Sequence, residues 1–299
     1  MISRSQPLAG ERASSYAARR RATRRGPWQR FTRNPRAIAG AVLLLFFAAV
    51  ALYGPAWIPF SPDRSNVLSR LHPPGGAYLL GTDHLGRDIL SRTVVAARVS
   101  LTIGLLSMLV SIVAGTLIGA LAGYFGGWLD AVLMRLTDAV LAIPVFFLTV
   151  AFLAMFGPSI PGLIFIIGAT AWPPAARLVR VEFLALRARD FVAAAHATGA
   201  SNGRIIVRHL LPNVVPIIAI SATLRIGLAI LTEAGLSFLG LGVQPPRPSW
   251  GNIIADGREY LSIAWWVSLF PGLCVFFAVM AFNLIGDGLR DAFDPKLQI

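Results

Sequence analysis

Apolar residues in this chain are gathered into long runs separated by short polar stretches. Residues 37–58, 99–122, 157–176 and 260–286 carry no charged side chain. Two further runs contain little charge: 131–156 holds only Arg135 and Asp138, and 210–232 only Arg225. A helix rising about 1.5 Å per residue needs roughly 20 residues to cross a hydrocarbon core of about 30 Å. The pattern therefore predicts an all-α, polytopic membrane protein with six transmembrane helices.

The connections divide into three kinds. Between the first two runs, Ser61-Pro62-Asp63 and His72-Pro73-Pro74-Gly75-Gly76 are rich in turn formers, which predicts irregular chain until a short helix near Asp88. From Gly235 to Trp250 the glycines at 240 and 242 and the prolines at 245, 246 and 248 predict a chain reversal after the fifth span. The connection from Glu182 to Pro212 has good helix formers through Thr198, and Gly199 then stands where a helix would stop. Ser201 or Asn202 caps a second helix, expected to run through His209 and end before Pro212. A helical pair of this mixed apolar and cationic character suits a groove on a soluble partner. An interfacial helix lying on lipid headgroups would have the same composition.

Composition agrees with the runs: 56% of the 299 residues are hydrophobic and 14% charged, with a mean hydropathy of +0.67. The net charge of +13 changes the picture only through its placement. Arg4, Arg12, Arg19, Arg20, Arg21, Arg24, Arg25, Arg30, Arg33 and Arg36 all precede the first span, opposed only by Glu11. A basic tail beside an apolar span places that tail in the cytoplasm and is drawn to anionic lipid, so no nucleic acid is required. Alternation then puts the 182–212 connection and the C-terminus on the same side, where Arg177, Arg180, Arg187, Arg189, Arg204, Arg208, Arg290 and Lys296 lie. The opposite segment carries Arg64, Arg70, Arg87, Arg92 and Arg98, but long loops weigh less in this rule. The first span reads as a retained signal anchor. The predicted organisation is a cytoplasmic tail at 1–35, a first span at 36–58, an extracytoplasmic segment at 59–98, a core of five spans at 99–290 and a cytoplasmic tail at 291–299.

Chemistry of the usual kinds is missing. The sequence has no G-x-x-x-x-G-K-[ST] phosphate loop, no H-E-x-x-H, no paired-cysteine metal spacing and no G-x-S-x-G elbow. Cys274, the single cysteine, lies in the last apolar run and reads as a small core residue. The four histidines, His72, His84, His196 and His209, form no ligand pattern, so no catalytic or metal site is assigned. His84 and its flanking acids have the chemistry for a cation, but a polar loop folded on itself explains them as well.

Intramembrane charge is more informative, because a charged group near mid-bilayer costs about 2.5–3.5 kcal/mol on insertion scales and usually faces a partner or a wet cavity. Asp138, Arg225 and Glu233 fall in this class. Arg225 and Glu233 are eight positions apart, about 80° on a helix, so both can face one translocation pathway. Two readings of Arg225 stand together. It either lines that pathway or meets an acid of a neighbouring subunit, or it pairs within the chain, with Asp138 as the candidate.

Four stretches carry a resemblance. They are Leu80-Gly-Thr-Asp-His-Leu-Gly-Arg-Asp-Ile-Leu-Ser-Arg92, Ala122-Gly-Tyr-Phe-Gly-Gly127, Ser237-Phe-Leu-Gly-Leu-Gly-Val-Gln-Pro-Pro-Arg-Pro-Ser-Trp-Gly251 and Phe282-Asn-Leu-Ile-Gly-Asp-Gly-Leu-Arg-Asp-Ala-Phe-Asp-Pro295. From about Phe31 onward the chain resembles the C-type inner-membrane permease subunits of ABC importers for dipeptides, oligopeptides and nickel, which have the type I importer architecture. Its inside helical pair resembles their coupling-helix motif, Glu-Ala-Ala followed by a glycine and Leu-Pro. Ala193, Ala194, Ala195, Gly199, His209, Leu211 and Pro212 occupy those positions, with Ala193 in place of the usual acid and His209 in place of the usual isoleucine. Arg189, Asp190, His196 and Ala200 flank them and join the expected contact with an ATPase.

The resemblance implies peptide import by alternating access, a homologous B-type permease partner, two ATPase subunits that bind ATP and Mg, and an extracytoplasmic substrate-binding protein. It implies no cofactor in this chain. Nickel, glutathione or short sugars are alternative cargoes. A secondary transporter working alone would need acidic midplane residues and inverted repeats, which the sequence does not display.

Overall fold

A computed structural model describes residues 27–293. The expectations for the arginine-rich segment before Pro27 and for 294–299 lie outside the described residues. Among those described, the fold is helical with only two isolated bridges, Gly75 with Tyr78 and Thr82 with Asp88.

Local chemistry sets the helix ends. After a short α1 (Pro27–Phe31), α2 (Pro35–Tyr53) starts where Asn34 accepts from the Arg36 N–H and Pro35 supplies a first-turn residue needing no donor. Helix α3 (Ile89–Phe125) is capped by Asp88, whose Oδ2 accepts from the backbone N–H of Ser91 at 2.8 Å. This start lies earlier than the expected second span. Residues 89–98 are therefore helical, and the short helix expected near Asp88 is the first part of α3.

The third and fourth spans are not straight. The apolar run 131–156 becomes α4 (Gly127–Ala142) and α5 (Val145–Phe156), bent by 82° at Pro144; the next becomes α6 (Ile160–Ala171) and α7 (Pro173–Arg187), bent by 44°. Proline removes a helix donor and pushes the preceding turn away, so Pro144 and the Pro173-Pro174 pair break helices that hydropathy alone reads as continuous. Among the described residues, four helices are long and apolar enough to cross unaided, and there are six spans if each bent pair counts as one.

Helix α8 (Asp190–Ala197) ends at Gly199 as expected. The following helix does not stop before Pro212. It runs from Asn202 to Phe238 as one rod, α9, with a π-helical turn over Ile205–Leu210. There the Leu211 N–H reaches back to the Ile206 carbonyl, widening the helix ahead of the proline ring. The Asn213 side-chain amide donates to the His209 carbonyl at 2.6 Å. After the predicted reversal comes a helix that the apolar pattern did not indicate, α10 (Trp250–Gly257), with Trp250 and Ile253 fully buried. The last span is α11 (Trp266–Phe293), which begins later than the apolar run from Tyr260.

Helix α3 is the central element, packed on α7, α6, α9 and α2, while α11 packs on α9, α2 and α10. Its approach to α7 depends on Gly115, Gly119 and Gly123, one on each successive turn. A Cβ at Gly115 would lie 2.6 Å from that of Ala175, and one at Gly123 would lie 2.6 Å from that of Phe183. Small residues spaced by four let two helix backbones close in lipid, where contact must come from packing.

Candidate functional site

The elbow between α8 and α9 is shaped by backbone geometry. Gly199 adopts φ +77°, a left-handed conformation that disfavours other residues. Around it the Gly199 N–H donates to the His196 carbonyl at 2.9 Å and the Ala200 N–H to the Ala195 carbonyl at 3.1 Å, so the freed carbonyls at the end of α8 are satisfied. Helix α9 starts at Ser201, whose side chain makes no capping bond.

One face of α8 is fastened and the other is open. Val192 and Ala195 are buried with Val179, Phe183, Ile205 and Leu210. Arg189, Asp190, Ala193, Ala194 and His196 are exposed, as is Phe191. Leu211 is half-buried and Pro212 exposed at the base of α9. Asp190 lies in the first turn of α8, where a negative charge complements the helix dipole. The expected contact residues thus separate into an outward set and a supporting set, and Ala195 belongs to the support. Phe191, which the motif positions do not include, is an exposed aromatic in the first turn of α8.

Tyr124, at the end of α3, joins both limbs of the elbow. Its hydroxyl donates to Asn202 Oδ1 at 2.8 Å and lies 3.5 Å from His196 Nε2. It lies within the Ala122–Gly127 stretch, but only the folded chain brings it to residues more than seventy positions away.

The intramembrane charges are separated. Asp138 pairs with Arg177 at 2.5 Å across α4 and α7, both side chains being more than half exposed, and Asp130 makes a two-bond pair with Arg180 nearby, at 2.5 and 2.6 Å. Asp138 is therefore not the partner of Arg225. The Arg225 guanidinium donates to the Ala171 carbonyl, at the break between α6 and α7, and to Ser221 Oγ at 3.3 Å. A proline-broken helix leaves carbonyls without amide partners, and Arg225 supplies one. It also lines a narrow cavity of about 60 Å³ with Ser107, Ser111 and Thr232.

Glu233 does not share that cavity. It is fully buried, its Oε1 accepting from Ser237 Oγ at 2.7 Å and its Oε2 from Ser100 Oγ at 3.2 Å. Ser100 Oγ in turn accepts from the Trp250 N–H at 3.2 Å, so this carboxyl ties α9 to α3 and α10. The two residues placed on one pathway by helical spacing have different surroundings, because the tilt of α9 among its neighbours, not its own periodicity, decides what each side chain meets.

At the other end of the bundle, Asp83 receives Arg87 Nε at 2.6 Å, and Asp256 receives Arg87 at 3.0 Å and Arg92 at 3.2 Å. Asp83, His84 and Asp256 lie close enough together to suggest a cation site. Two guanidinium groups already neutralise these carboxylates, and the His84 ring is stacked on Tyr260, so the cluster is explained as an ion-pair network.

Long apolar helices packed around α3 define a multi-pass membrane protein. Residues 115–299 match the model for the binding-protein-dependent transport system inner membrane component, and residues 25–74 that for the N-terminal membrane domain of oligopeptide transport permease C. The chain belongs to this family of ABC importer permeases, as a C-type subunit. It is 40% identical over 276 residues to a dipeptide transport system permease of Alkalihalophilus pseudofirmus, covering 91% of each chain. It is 42% identical over 277 residues to a di/tripeptide transport system permease of Pseudomonas aeruginosa, again covering 91% of each. A glutathione transport system permease of Pectobacterium atrosepticum is 41% identical over 272 residues, covering 91% of this chain and 90% of that one. Among solved structures, a chain of the inward-facing MetNI methionine ABC transporter superposes with a TM-score of 0.56 at 20% identity, covering 68% of this chain and 97% of that one. That likeness supports the type I permease fold.

Proposed function

We propose that this chain is one of two channel-forming subunits of an ATP-driven importer of peptides, and that its α8–α9 elbow is the point at which the motor acts. The observation that carries this reading is the two-sided construction of α8: an open face of Arg189, Asp190, Phe191, Ala193, Ala194 and His196, backed by Val192 and Ala195 in the core. A fastened helix with an open face of mixed apolar and charged residues can enter a groove and still transmit force inward. Two separate ATPase subunits bind ATP and Mg, a homologous B-type permease completes the pore, and a substrate-binding protein delivers cargo from outside. Both termini are then cytoplasmic.

In this mechanism closure of the ATPases draws the elbows of the two permeases together. Movement of α8 reaches α3 through Tyr124 and α9 through the continuous backbone beyond Asn202. The cargo must be bound with different affinity in the two conformations, since equal affinity shifts nothing. Arg225, beside the narrow cavity between α3, α6 and α9, is the charge placed to meet an anionic group as that cavity widens.

The test is co-expression of the full chain with candidate permease, ATPase and binding-protein subunits, followed by ATPase assays in reconstituted vesicles with dipeptides, oligopeptides, glutathione and nickel. Peptide-stimulated hydrolysis that needs the binding protein is expected. Glutathione is the second cargo because a relative of equal similarity carries that description. Stimulation by nickel alone, or failure of the chain to associate with any ATPase, would overturn the peptide-importer reading.

A further inference from the structure

Where α1 turns into α2, three arginines face one cleft. Arg30 closes α1, Arg33 lies in the turn and Arg36 in the first turn of α2. They line a space of about 480 Å³ whose single acidic lining residue, among the described residues, is Asp291, at the end of α11. Asp291 Oδ2 already accepts from Asn34 Nδ2 at 2.9 Å. Among the described residues, none of the three guanidinium groups is in an ion pair. Among the described residues the cleft therefore gathers three guanidinium groups against one carboxylate.

The turn is held in place by packing and hydrogen bonds. The Asn34 N–H donates to the Arg30 carbonyl at 3.1 Å, and the Asn34 side chain accepts from the Arg36 N–H at 2.9 Å. Beneath it, α2 and α1 rest on α11: a Cβ at Gly288 would press on Ala37 and come within 3.4 Å of the Phe31 ring. The level of the cleft in the bilayer follows from the sequence. Arg36 directly precedes the uncharged run that begins at Ala37, and Trp28, 73% exposed, lies nine positions before that run on α1. Tryptophan and arginine beside the end of an apolar span mark the headgroup layer.

We infer that this cleft binds the phosphate of an anionic phospholipid headgroup. Guanidinium groups offer paired donors that match phosphate oxygens, and the amino-terminal end of α2 adds the positive end of a helix dipole. Free phosphate shares this chemistry, but the exposed Trp28 and the adjoining apolar span favour a ligand with acyl chains. The site is separate from the elbow and from any cargo path, so it stands or falls independently of the importer reading.

The experiment uses the full chain purified in detergent, with phosphatidylglycerol and phosphatidylcholine added in equal amounts afterwards and bound lipid counted by native mass spectrometry. Adding lipid after purification removes any effect of the arginines on the direction of insertion. Retention of phosphatidylglycerol over phosphatidylcholine is expected, weakened about 5-fold for each arginine removed in Arg33→Gln and Arg36→Gln. The pair Arg33→Lys and Arg36→Lys should keep most of the preference. Arg36→Gln alone, at an exposed position, serves if the double variant does not fold. Undiminished phosphatidylglycerol retention in the glutamine variants would overturn the proposal. So would its complete displacement by millimolar inorganic phosphate, which would make this a site for the free ion.

Discussion

At the loop end of the bundle, Asp83 and Arg92 have side chains only 1% and 3% exposed, and their partners Arg87 and Asp256 come from the loop just before α3 and from α10. At the elbow end, Ala193, Ala194, His196, Asn202 and Arg204 are exposed, and the side-chain link to α3 is the hydroxyl of Tyr124. Buried charges make a connection expensive to rearrange, because each must keep a partner when it moves. A few partly buried, uncharged hydrogen bonds around a glycine can re-form in another arrangement at lower cost. Under the proposed mechanism the contrast gives holding to one end and moving to the other.

The largest effect should follow from Arg92→Met, which leaves buried carboxylate charge incompletely paired and is expected to cost about 3 kcal/mol. Thermal melting of the solubilised chain would show it, with partial recovery when Asp83→Asn is added; an unchanged melting temperature would mean that the loop end is not the rigid one. Next is Gly199→Pro, since proline cannot adopt the positive φ of this turn. Membrane insertion should persist while vesicle uptake is lost, and normal uptake with normal ATPase association would remove the elbow from the mechanism. Tyr124→Phe should cost about 1 kcal/mol of hydrogen bonding. Its specific signature is ATP hydrolysis that continues while uptake per ATP falls, whereas an equal fall in both would point to simple destabilisation. The smallest effect belongs to Asp138→Asn. Its ion pair is more than half exposed, so a change of under about 1 kcal/mol in melting is expected.

How much of this was legible in the sequence depends on the reach of each interaction. The elbow was, because a run of helix formers followed by glycine is local information, and Gly199 takes the conformation that position suggested. The bends at Pro144 and Pro173 were visible as residues but hidden as geometry, since hydropathy sums over a window and has no term for direction. Helix α10 was missed because its apolar content is short. Its signal was the reciprocal cap in which Ser249 Oγ accepts from the Asn252 N–H and Asn252 Oδ1 from the Ser249 N–H. The pairs Asp138–Arg177 and Asp130–Arg180 join residues 39 and 50 positions apart, and no spacing rule in one sequence selects such partners.

The unbroken course of α9 has a mechanical consequence. Its 37 residues span about 55 Å at 1.5 Å per residue, more than the hydrocarbon thickness, and the helix continues through the π-helical turn at Ile205–Leu210 and past Pro216. A stiff beam of that length, pivoting near its middle through about 10°, carries each tip roughly 5 Å in opposite senses. A push delivered on one side of the membrane would thus reappear on the other as a displacement of similar size and reversed direction, and opening one mouth of the pore would close its opposite.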